Sequence, residues 1–376
     1  MFLALREIQH EPGRFALVVS VITLITYLTF FLASLASGLA GSYRAVVDGW
    51  NAGSVMLTEA SNDNLSASRM TDAQVASATA IAKHASARAS SLITVPAAAQ
   101  LPASTDRDSR ERRIGSGSKV DVFAFGIDLD DRLSPAVASG SEITDPTREV
   151  LADESLRADG LGVGDAVRLL GSDHEWIVVG LTRDTMFQGT PVLTVDEAAL
   201  RKHAPAAVSP TTTALVLDAD ITTDSEAAAA APAAGLTLLT TEELIETLPG
   251  YSAQVLTFSL MIGSLILVAS LVLGIFLYVL TLQKRPVLGI LRARGVPTAY
   301  LIRSVGAQTA VLAAAGVLTG LVLTLLTSLI LPDAVPFRPS PGLNATIALA
   351  FVLVSVLGGL ASVRVISRID PVEAIS

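Results

Sequence analysis

Hydrophobic residues are concentrated in four long runs that contrast with the mixed pattern of the rest of the chain. None of the four contains Asp, Glu, Lys or Arg; they are residues 15–38, 255–280, 305–331 and 344–363. A helix of about 20 apolar residues crosses the roughly 30 Å hydrocarbon core of a bilayer. The pattern therefore predicts a membrane protein with four transmembrane α-helices.

The long segment between the first and second runs, residues 43–250, changes between hydrophobic and polar positions over shorter distances. Strand-like stretches between Gly, Asp and Ser clusters are GSVMLTEA, KVDVFAFGID, DAVRLL, EWIVVGL, TPVLTVD and TTALVLD, and helical patterns are TDAQVASATAIAKH and VDEAALRKH. The charged stretch 103–119 and the Ala-rich stretch 225–235 show no such pattern and are predicted to be mobile. We predict a large α+β domain between helices 1 and 2.

The placement of Lys and Arg sets the expected orientation in the membrane. Basic residues precede the first run, follow the fourth, and lie between the second and third: Arg6, Arg14, Lys284, Arg285, Arg292, Arg294, Arg303, Arg364 and Arg368. Because basic loops stay in the cytoplasm, both termini and residues 281–304 are predicted to be cytoplasmic. Residues 43–250, with 30 acidic and 16 basic side chains, are then extracytoplasmic.

These patterns divide the chain into segments with distinct expected locations in the cell membrane. The predicted segments are 1–42, an N-terminal cytoplasmic segment with transmembrane helix 1; 43–250, the extracytoplasmic α+β domain; 251–280, transmembrane helix 2; 281–304, a cytoplasmic loop; 305–363, helices 3 and 4; and 364–376, a cytoplasmic tail. The first run exceeds the 7–15 residues of an ordinary signal-peptide core, so we expect an uncleaved anchor.

Composition narrows the possible chemistry. The chain is 51% hydrophobic with a mean hydropathy of +0.57, and it has no cysteine to form a disulfide or a thiolate metal ligand. No phosphate-binding P-loop and no H-E-x-x-H pattern occurs. Uncharged spans also argue against a proton- or sodium-driven carrier. We expect no enzymatic activity, no intrinsic cofactor and no nucleic-acid partner, so that any chemical energy comes from a partner protein.

Small residues recur at four-residue spacing, which permits close packing of membrane helices. The first run ends with two such series and the third run carries a Gly pair; they are Ala33, Ser37 and Gly41, then Ser34, Gly38 and Ser42, and finally Gly316 and Gly320. The doubled series predicts a helix–helix contact in the first run, and a contact between two copies of the chain is one way to form it.

The order of these features resembles a known superfamily. Four spans, a large domain after the first, QKRPVLGILRARGVP between spans two and three, and a terminal RIDPVEAI are similar to the FtsX and MacB type of ABC permease. The stretches MFLALREI, RFALVVSVITLITYLTFFLASLASGLA and VVDGWNAGSVMLTEASNDNLSASRM resemble, within it, the HrtB family of haem-exporting permeases and more loosely the DevC permeases. The charged insertion at 106–119 has no counterpart in that resemblance.

The resemblance implies the partners and the activity. The expected assembly is two copies of this chain with a dimer of a separate, HrtA-like ABC ATPase, expelling haem taken laterally from the outer leaflet. The cytoplasmic loop would form a coupling helix docked on the ATPase through Val287, Leu288, Ile290, Leu291, Arg292 and Arg294. From the residues alone, a basic amphipathic helix lying on anionic lipid remains the alternative.

A haem site is expected where helix 1 ends and helix 2 begins. The candidate iron ligands are Tyr251, Glu246 and Met186, because Cys is absent and Tyr and Met are known iron ligands. Aromatic residues expected to surround the macrocycle are Tyr27, Phe30, Phe31, Tyr43 and Phe187. The plainer alternative makes Tyr251 an interfacial anchor and places Glu246 on the polar face of a helix.

Two other functions remain open at this point. In one, the chain is an FtsX-like relay that transmits motion to an extracytoplasmic partner and transports nothing. In the other, the same lateral route exports a different lipophilic substrate.

Overall fold

A computed structural model describes residues 12–102, 118–283, 297–332 and 335–367 of the chain. These residues divide into two compact units. One unit contains Met1–Gly38 and Val255–Ser376, and the other is Leu39–Gln254. We call them the helical unit and the sheet unit.

The helices and strands follow the chain in a clear order. The helices are α1 Pro12–Gly49, α2 Asp72–His84, α3 Glu197–His203, α4 Ser225–Ala233, α5 Thr241–Thr247, α6 Tyr251–Gln283, α7 Thr298–Ser328 and α8 Pro341–Ser367. The strands are β1 Ser54–Thr58, β2 Ala89–Gln100, β3 Lys119–Ile127, β4 Val137–Gly140, β5 Glu149–Asp153, β6 Ala166–Leu169, β7 Trp176–Thr182, β8 Met186–Phe187, β9 Thr190–Asp196, β10 Ala214–Leu217 and β11 Leu236–Thr240.

The strands of the sheet unit form one mixed sheet with the order β11-β1-β10-β2-β3-β9-β5-β7-β4. Strand β6 pairs with both β2 and β7, so the strands β2, β3, β9, β5, β7 and β6 close on themselves as a small barrel. Alternate residues of these strands fill its interior, including Val95, Val122, Val178 and Leu193, each at most 1% exposed. Closure leaves these strands without a free edge, which protects them from pairing with other chains.

A second layer covers the strands that continue beyond the barrel. Helices α2 and α4 pack their buried alanines against β1, β10 and β11. The prediction that residues 225–235 are mobile is therefore wrong, because most of this stretch forms α4. Asp224 caps this helix through the backbone N–H groups of Glu226 and Ala227, and Ala231 is fully buried.

The helical unit contains long apolar helices. Three stretches are long and apolar enough to span a membrane: Phe15–Gly49, Tyr251–Ala269 and Gly306–Ser328. Within the described part of α8, the apolar stretch Pro341–Leu357 is shorter. Three of the four predicted spans are therefore matched, and the fourth stays a prediction.

Glycines of α7 bring it into close contact with α1. A Cβ atom on Gly320 would lie 2.3 Å from Thr26 Oγ1 and 2.9 Å from the Tyr27 nitrogen, and one on Gly316 would lie 2.5 Å from Ile22. The close approach lets Thr26 Oγ1 donate to the Gly316 carbonyl at 3.2 Å. The spacing of the glycines thus has the packing role that such spacing favours in membranes.

The doubled small-residue series of helix 1 has partners within the same chain. Gly38 packs on the backbone of Pro336, where a Cβ atom would lie 1.9 Å from the carbonyl oxygen. The Ser34 carbonyl accepts a hydrogen bond from the Arg338 N–H at 3.1 Å, and Ala33 is buried in the bundle core. These three residues thus have contacts within the chain, and the predicted contact between two copies of the chain stays a prediction.

Candidate functional site

A β-hairpin of the sheet unit is anchored on the final turns of α1. Strands β8 and β9 are joined by Gln188 and Gly189, both with positive φ (53° and 74°), as a tight two-residue hairpin requires. The Gln188 N–H donates to the Tyr43 carbonyl at 3.1 Å, and the Gly189 N–H donates to the Ser42 carbonyl at 3.2 Å. The hairpin tip therefore fixes this segment of α1 to the sheet.

Tyr43 and Tyr251 come together where α1 ends and α6 begins. Their ring centroids are 6.4 Å apart, and both side chains are half-buried. Gly250, with φ +81°, makes the turn that places Tyr251 at the start of α6. Two of the predicted haem residues, remote in sequence, are thus neighbours.

Charged groups surround the Tyr43–Tyr251 pair. Arg44 binds Asp48 one helical turn later, with Nε 2.9 Å from Oδ2 and NH2 2.8 Å from Oδ1. The same guanidinium lies 3.6 Å from the Glu242 carboxylate. Arg44 thus lies between two carboxylates, Asp48 on its own helix and Glu242 of α5.

Glu246 and Met186 lie on the surface of the same unit. Glu246 is on the exposed face of α5, whose opposite face buries Leu244 and Ile245. Met186 is half-buried in β8, where it pairs with Pro191 of β9. Both side chains are accessible, so their role as iron ligands stays a prediction.

Two of the predicted aromatic residues are core residues in this structure. The Phe187 ring is fully buried, with edge-to-face contacts to Phe123 at 5.1 Å and Phe125 at 5.4 Å. Phe30 is fully buried in the core of the helical unit with Val317 and Phe351. Neither ring presents a face to a ligand in this conformation, because each fills the interior of its own unit.

The other aromatic residues of helix 1 belong to a row in the helical unit. The rings of Tyr27 and Phe31 are 6.1 Å apart, and Phe31 lies 5.3 Å from Phe337, on the segment between α7 and α8. The Tyr27 hydroxyl is 3.2 Å from Thr327 Oγ1. Sequence reasoning missed Phe337; its only signal was an aromatic and a basic residue between two prolines in PFRPSP.

A histidine pair in the sheet unit was also missed. The rings of His174 and His203 stack at 3.8 Å, and His174 lies edge-on to Trp176 at 4.5 Å. His174 Nε2 donates to the Thr147 carbonyl at 2.9 Å, assigned from the acceptor. Burial, followed by the nearby His174 and Lys202, lowers the pKa of His203. The two histidines are 29 positions apart in the sequence, so only folding brings them together.

The remaining predicted residues lie outside the described part of the chain. These are the ATPase-coupling residues Val287, Leu288, Ile290, Leu291, Arg292 and Arg294. Among the residues that the structure does describe, no group of three or more His, Asp or Glu side chains is arranged to hold a metal ion.

Part of the helical unit is similar to a known family. Residues 259–371 match the family described as FtsX-like permease, C-terminal. Two proteins of Staphylococcus epidermidis, from strains RP62A and ATCC 12228, carry the name hemin transport system permease protein HrtB and are 25% identical to the chain over 227 residues. The match covers 60% of this chain and 63% of each relative.

A solved structure matches the chain more distantly. The crystal structure of the periplasmic region of MacB from Actinobacillus actinomycetemcomitans covers 52% of this chain and 94% of its own length. The sequence identity is 9% and the TM-score is 0.35.

Proposed function

We propose that this chain, a membrane permease of the FtsX type, is the transmembrane subunit of an ATP-driven pump that expels haem. It takes haem laterally from the outer leaflet and uses the motion of a separate ABC ATPase dimer. Two copies of the chain and an HrtA-like ATPase dimer make up the proposed pump. Both termini are proposed to be cytoplasmic and residues 43–250 extracytoplasmic.

The observation that carries this proposal is the 227-residue similarity to two proteins named for hemin transport. The arrangement of the helical unit agrees with a flat, apolar cargo. Tyr27, Phe31 and Phe337 form a half-buried row of rings, and aromatic rings at such spacing favour offset or edge contacts with a further planar π-system. A pure relay of motion does not need this row.

The sheet unit supplies the proposed coupling to motion. Hydrogen bonds from Gln188 and Gly189 tie the hairpin to α1, so a displacement of that helix segment moves the sheet with it. Tyr251 and Glu246, with Met186, are the proposed iron ligands. Phenolate and carboxylate oxygens are hard donors that suit ferric iron, and Tyr ligation of haem iron is known.

Absorption spectroscopy tests the cargo. The chain, purified with its ATPase, is titrated with hemin, and a saturable shift of the Soret band is expected. The double variant Tyr251→Phe, Glu246→Ala should shift or abolish that band if either residue binds iron. Replacing Glu243, which caps α5 by accepting from the Thr240 N–H at 2.8 Å, tests whether disturbing α5 alone has the same effect.

ATPase activity distinguishes haem export from its alternatives. Stimulation by hemin, but not by lipids or hydrophobic drugs, is expected of a haem pump. Stimulation by another lipophile alone would indicate a different cargo. Absence of saturable hemin binding, with ATPase activity unaffected by any of these compounds, would favour the relay function.

A further inference from the structure

An apolar cavity lies between three helices of the helical unit. Its volume is about 340 Å³, and it is bordered by α1, α6 and α8. The floor consists of side chains that are at most 6% exposed, Val18 and Ile22 of α1 and Phe351 of α8. The mouth is formed by exposed side chains, among them Leu17 of α1 and Ile275 of α6, which are 62% and 64% exposed. The cavity is therefore bounded by the bundle on its inner side and reached from the outer surface of the helices.

The lining of the cavity suits a hydrocarbon. Ser355 is the single polar residue among the described lining residues, and none of them is charged. Water does not enter an apolar cavity of this kind, and a void of about 150 Å³ already admits a benzene ring. A cavity of about twice that volume accommodates a hydrocarbon segment of roughly a dozen carbon atoms.

The cavity lies within one half of the bilayer. At a rise of 1.5 Å per residue, its lining residues in α1, from Leu17 to Ile25, lie about 3–15 Å from the start of the apolar run at residue 15. Those in α6, from Ala269 to Val279, lie about 2–16 Å from the end of the run at residue 280. Both helices thus give a position between the surface and the middle of a hydrocarbon core about 30 Å thick. In the proposed orientation this half is the cytoplasmic leaflet.

At this depth the molecules that surround the mouth are acyl chains of the bilayer. A void left empty deprives the side chains around it of contacts on one side, so a chain that enters gains contacts with the floor. Haem fits less well, because its two propionates find no charged partner among the described lining residues. We propose that the cavity binds an acyl chain of a phospholipid from this leaflet. This site does not depend on the cargo of the proposed function.

A phosphatidylcholine that carries a diazirine in its acyl chain tests the proposal. The full-length protein is reconstituted in nanodiscs containing this lipid and illuminated, and the adducts are located by mass spectrometry. Adducts are expected at the two floor residues Ile22 and Phe351, because their burial leaves the cavity as the route to them. Leu24 of α1, which is 67% exposed, is the positive reference. Phe30, which is fully buried and does not line the cavity, should carry no adduct.

Two variants narrow the mouth without altering the floor. Val272→Trp and Ile275→Trp enlarge exposed side chains that line the cavity, so each should abolish the adducts at the two floor residues. Val268→Trp and Leu271→Trp are the matched controls, since both positions are exposed, lie one helical turn earlier in α6 and do not line the cavity. The controls should keep the floor adducts, and every variant should keep the adducts at the exposed reference. Thermal unfolding verifies that each variant is folded.

Several outcomes would overturn the proposal. One is a wild type labelled at Leu24 but not at the floor, and another is equal floor labelling in the wild type and both mouth variants. The same loss in the two controls would attribute the effect to any bulky residue on α6. If added hemin abolishes the floor adducts, the cavity takes the cargo instead. If a bismaleimide joins two chains through Ile275→Cys and the floor carries no adduct, a second copy covers the mouth.

These results are independent of haem export. A protein that fails to bind hemin in the Soret titration refutes the proposed function and leaves the floor adducts as expected. Loss of the floor adducts from a wild type that binds hemin refutes the acyl-chain site alone.

Discussion

Gly320 determines how closely α7 approaches α1. The missing side chain leaves space for Thr26 Oγ1 and the Tyr27 nitrogen, at 2.3 Å and 2.9 Å from the position of a Cβ atom. One of these atoms belongs to the backbone, so it cannot rotate away from an added methyl group. The absence of a Cβ atom at position 320 therefore allows the two helices to approach this closely.

Replacing Gly320 with Ala should destabilise the helical unit. Overpacking of a well-filled interface costs about 1–3 kcal/mol, and Gly320→Ala is expected to lower the thermal unfolding midpoint of the detergent-solubilised protein. The matched control is Gly263→Ala in α6, where nothing lies within 4 Å of the added atom. Equal midpoints for the two variants would contradict the close packing described here.

The stacked histidine pair makes the sheet unit sensitive to acid. Because the pKa of His203 is lowered from its ordinary value of 6.5, chiefly by burial, the folded state binds a proton less readily than the unfolded state. By linkage, the contribution to stability is fully present above pH 6.5 and is lost as the pH falls through the lowered pKa. The sheet unit should therefore unfold more easily below pH 6.5.

Tryptophan fluorescence measures this effect, because both tryptophans, Trp50 and Trp176, are buried in the sheet unit. Urea unfolding of the full-length protein should show a smaller loss of stability between pH 7.5 and pH 5 in His203→Gln than in the wild type. His84→Gln, on the exposed end of α2, serves as control and should behave as the wild type does. If the wild type and His203→Gln lose the same amount of stability, His203 is not the cause of the acid sensitivity.

At the scale of elements, the hairpin β8–β9 connects α1 to the sheet. Its tip needs left-handed backbone at Gln188 and Gly189, and its two N–H groups bind carbonyls of α1. A Cβ atom on Gly189 would lie 3.6 Å from the Tyr43 ring. A larger side chain at this position would displace the hairpin from the helix.

If the chain works as proposed, Gly189→Val should weaken the coupling between the partner ATPase and the sheet unit. The expected result is a fall in hemin-stimulated ATPase activity of about threefold or more, with basal activity unchanged, since about 1–3 kcal/mol of backbone strain falls on the hairpin tip. Gly160→Val imposes similar strain (φ +93°), but nothing lies within 4 Å of its added atom. If both variants reduce stimulation equally, general destabilisation is the cause and the hairpin has no special role.

Strands were predictable from sequence where apolar and polar residues alternate or where β-branched residues cluster. The segments of β1, β3, β6, β7, β9 and β10 were recognised in this way. Strand β2 was missed because it begins ASSLITV and continues with Pro96 and three alanines, which are poor strand signals. It forms nonetheless because it pairs with β3 from Leu92–Ile127 to Gln100–Lys119 and with β10 from Ala89–Leu217 to Leu92–Ala214.

For the whole molecule, the placement of Lys and Arg predicts the orientation in the membrane. The chain has no native cysteine, so single cysteine variants can be labelled without background. Asp159→Cys, exposed in the sheet unit, should react with a membrane-impermeant maleimide on intact cells. Ser376→Cys should react only after the cells are permeabilised, and the reverse labelling pattern would overturn the proposed topology.

The sequence by itself determined the membrane class, the positions of the apolar helices, many of the strands and the resemblance to FtsX-type permeases. These features depend on local periodicity, composition and motif order, which the chain carries whatever its tertiary contacts. The sequence also suggested a haem cargo, but it treated Phe30 and Phe187 as available to a ligand.

Only the tertiary structure decided which side chains meet. It buried Phe30 and Phe187, brought Phe337 to Phe31, stacked His174 on His203, and closed six strands into a barrel. Local periodicity gives the face of a helix or strand on which a residue lies. It does not specify which distant segment covers that face, because that choice depends on the packing of the whole chain.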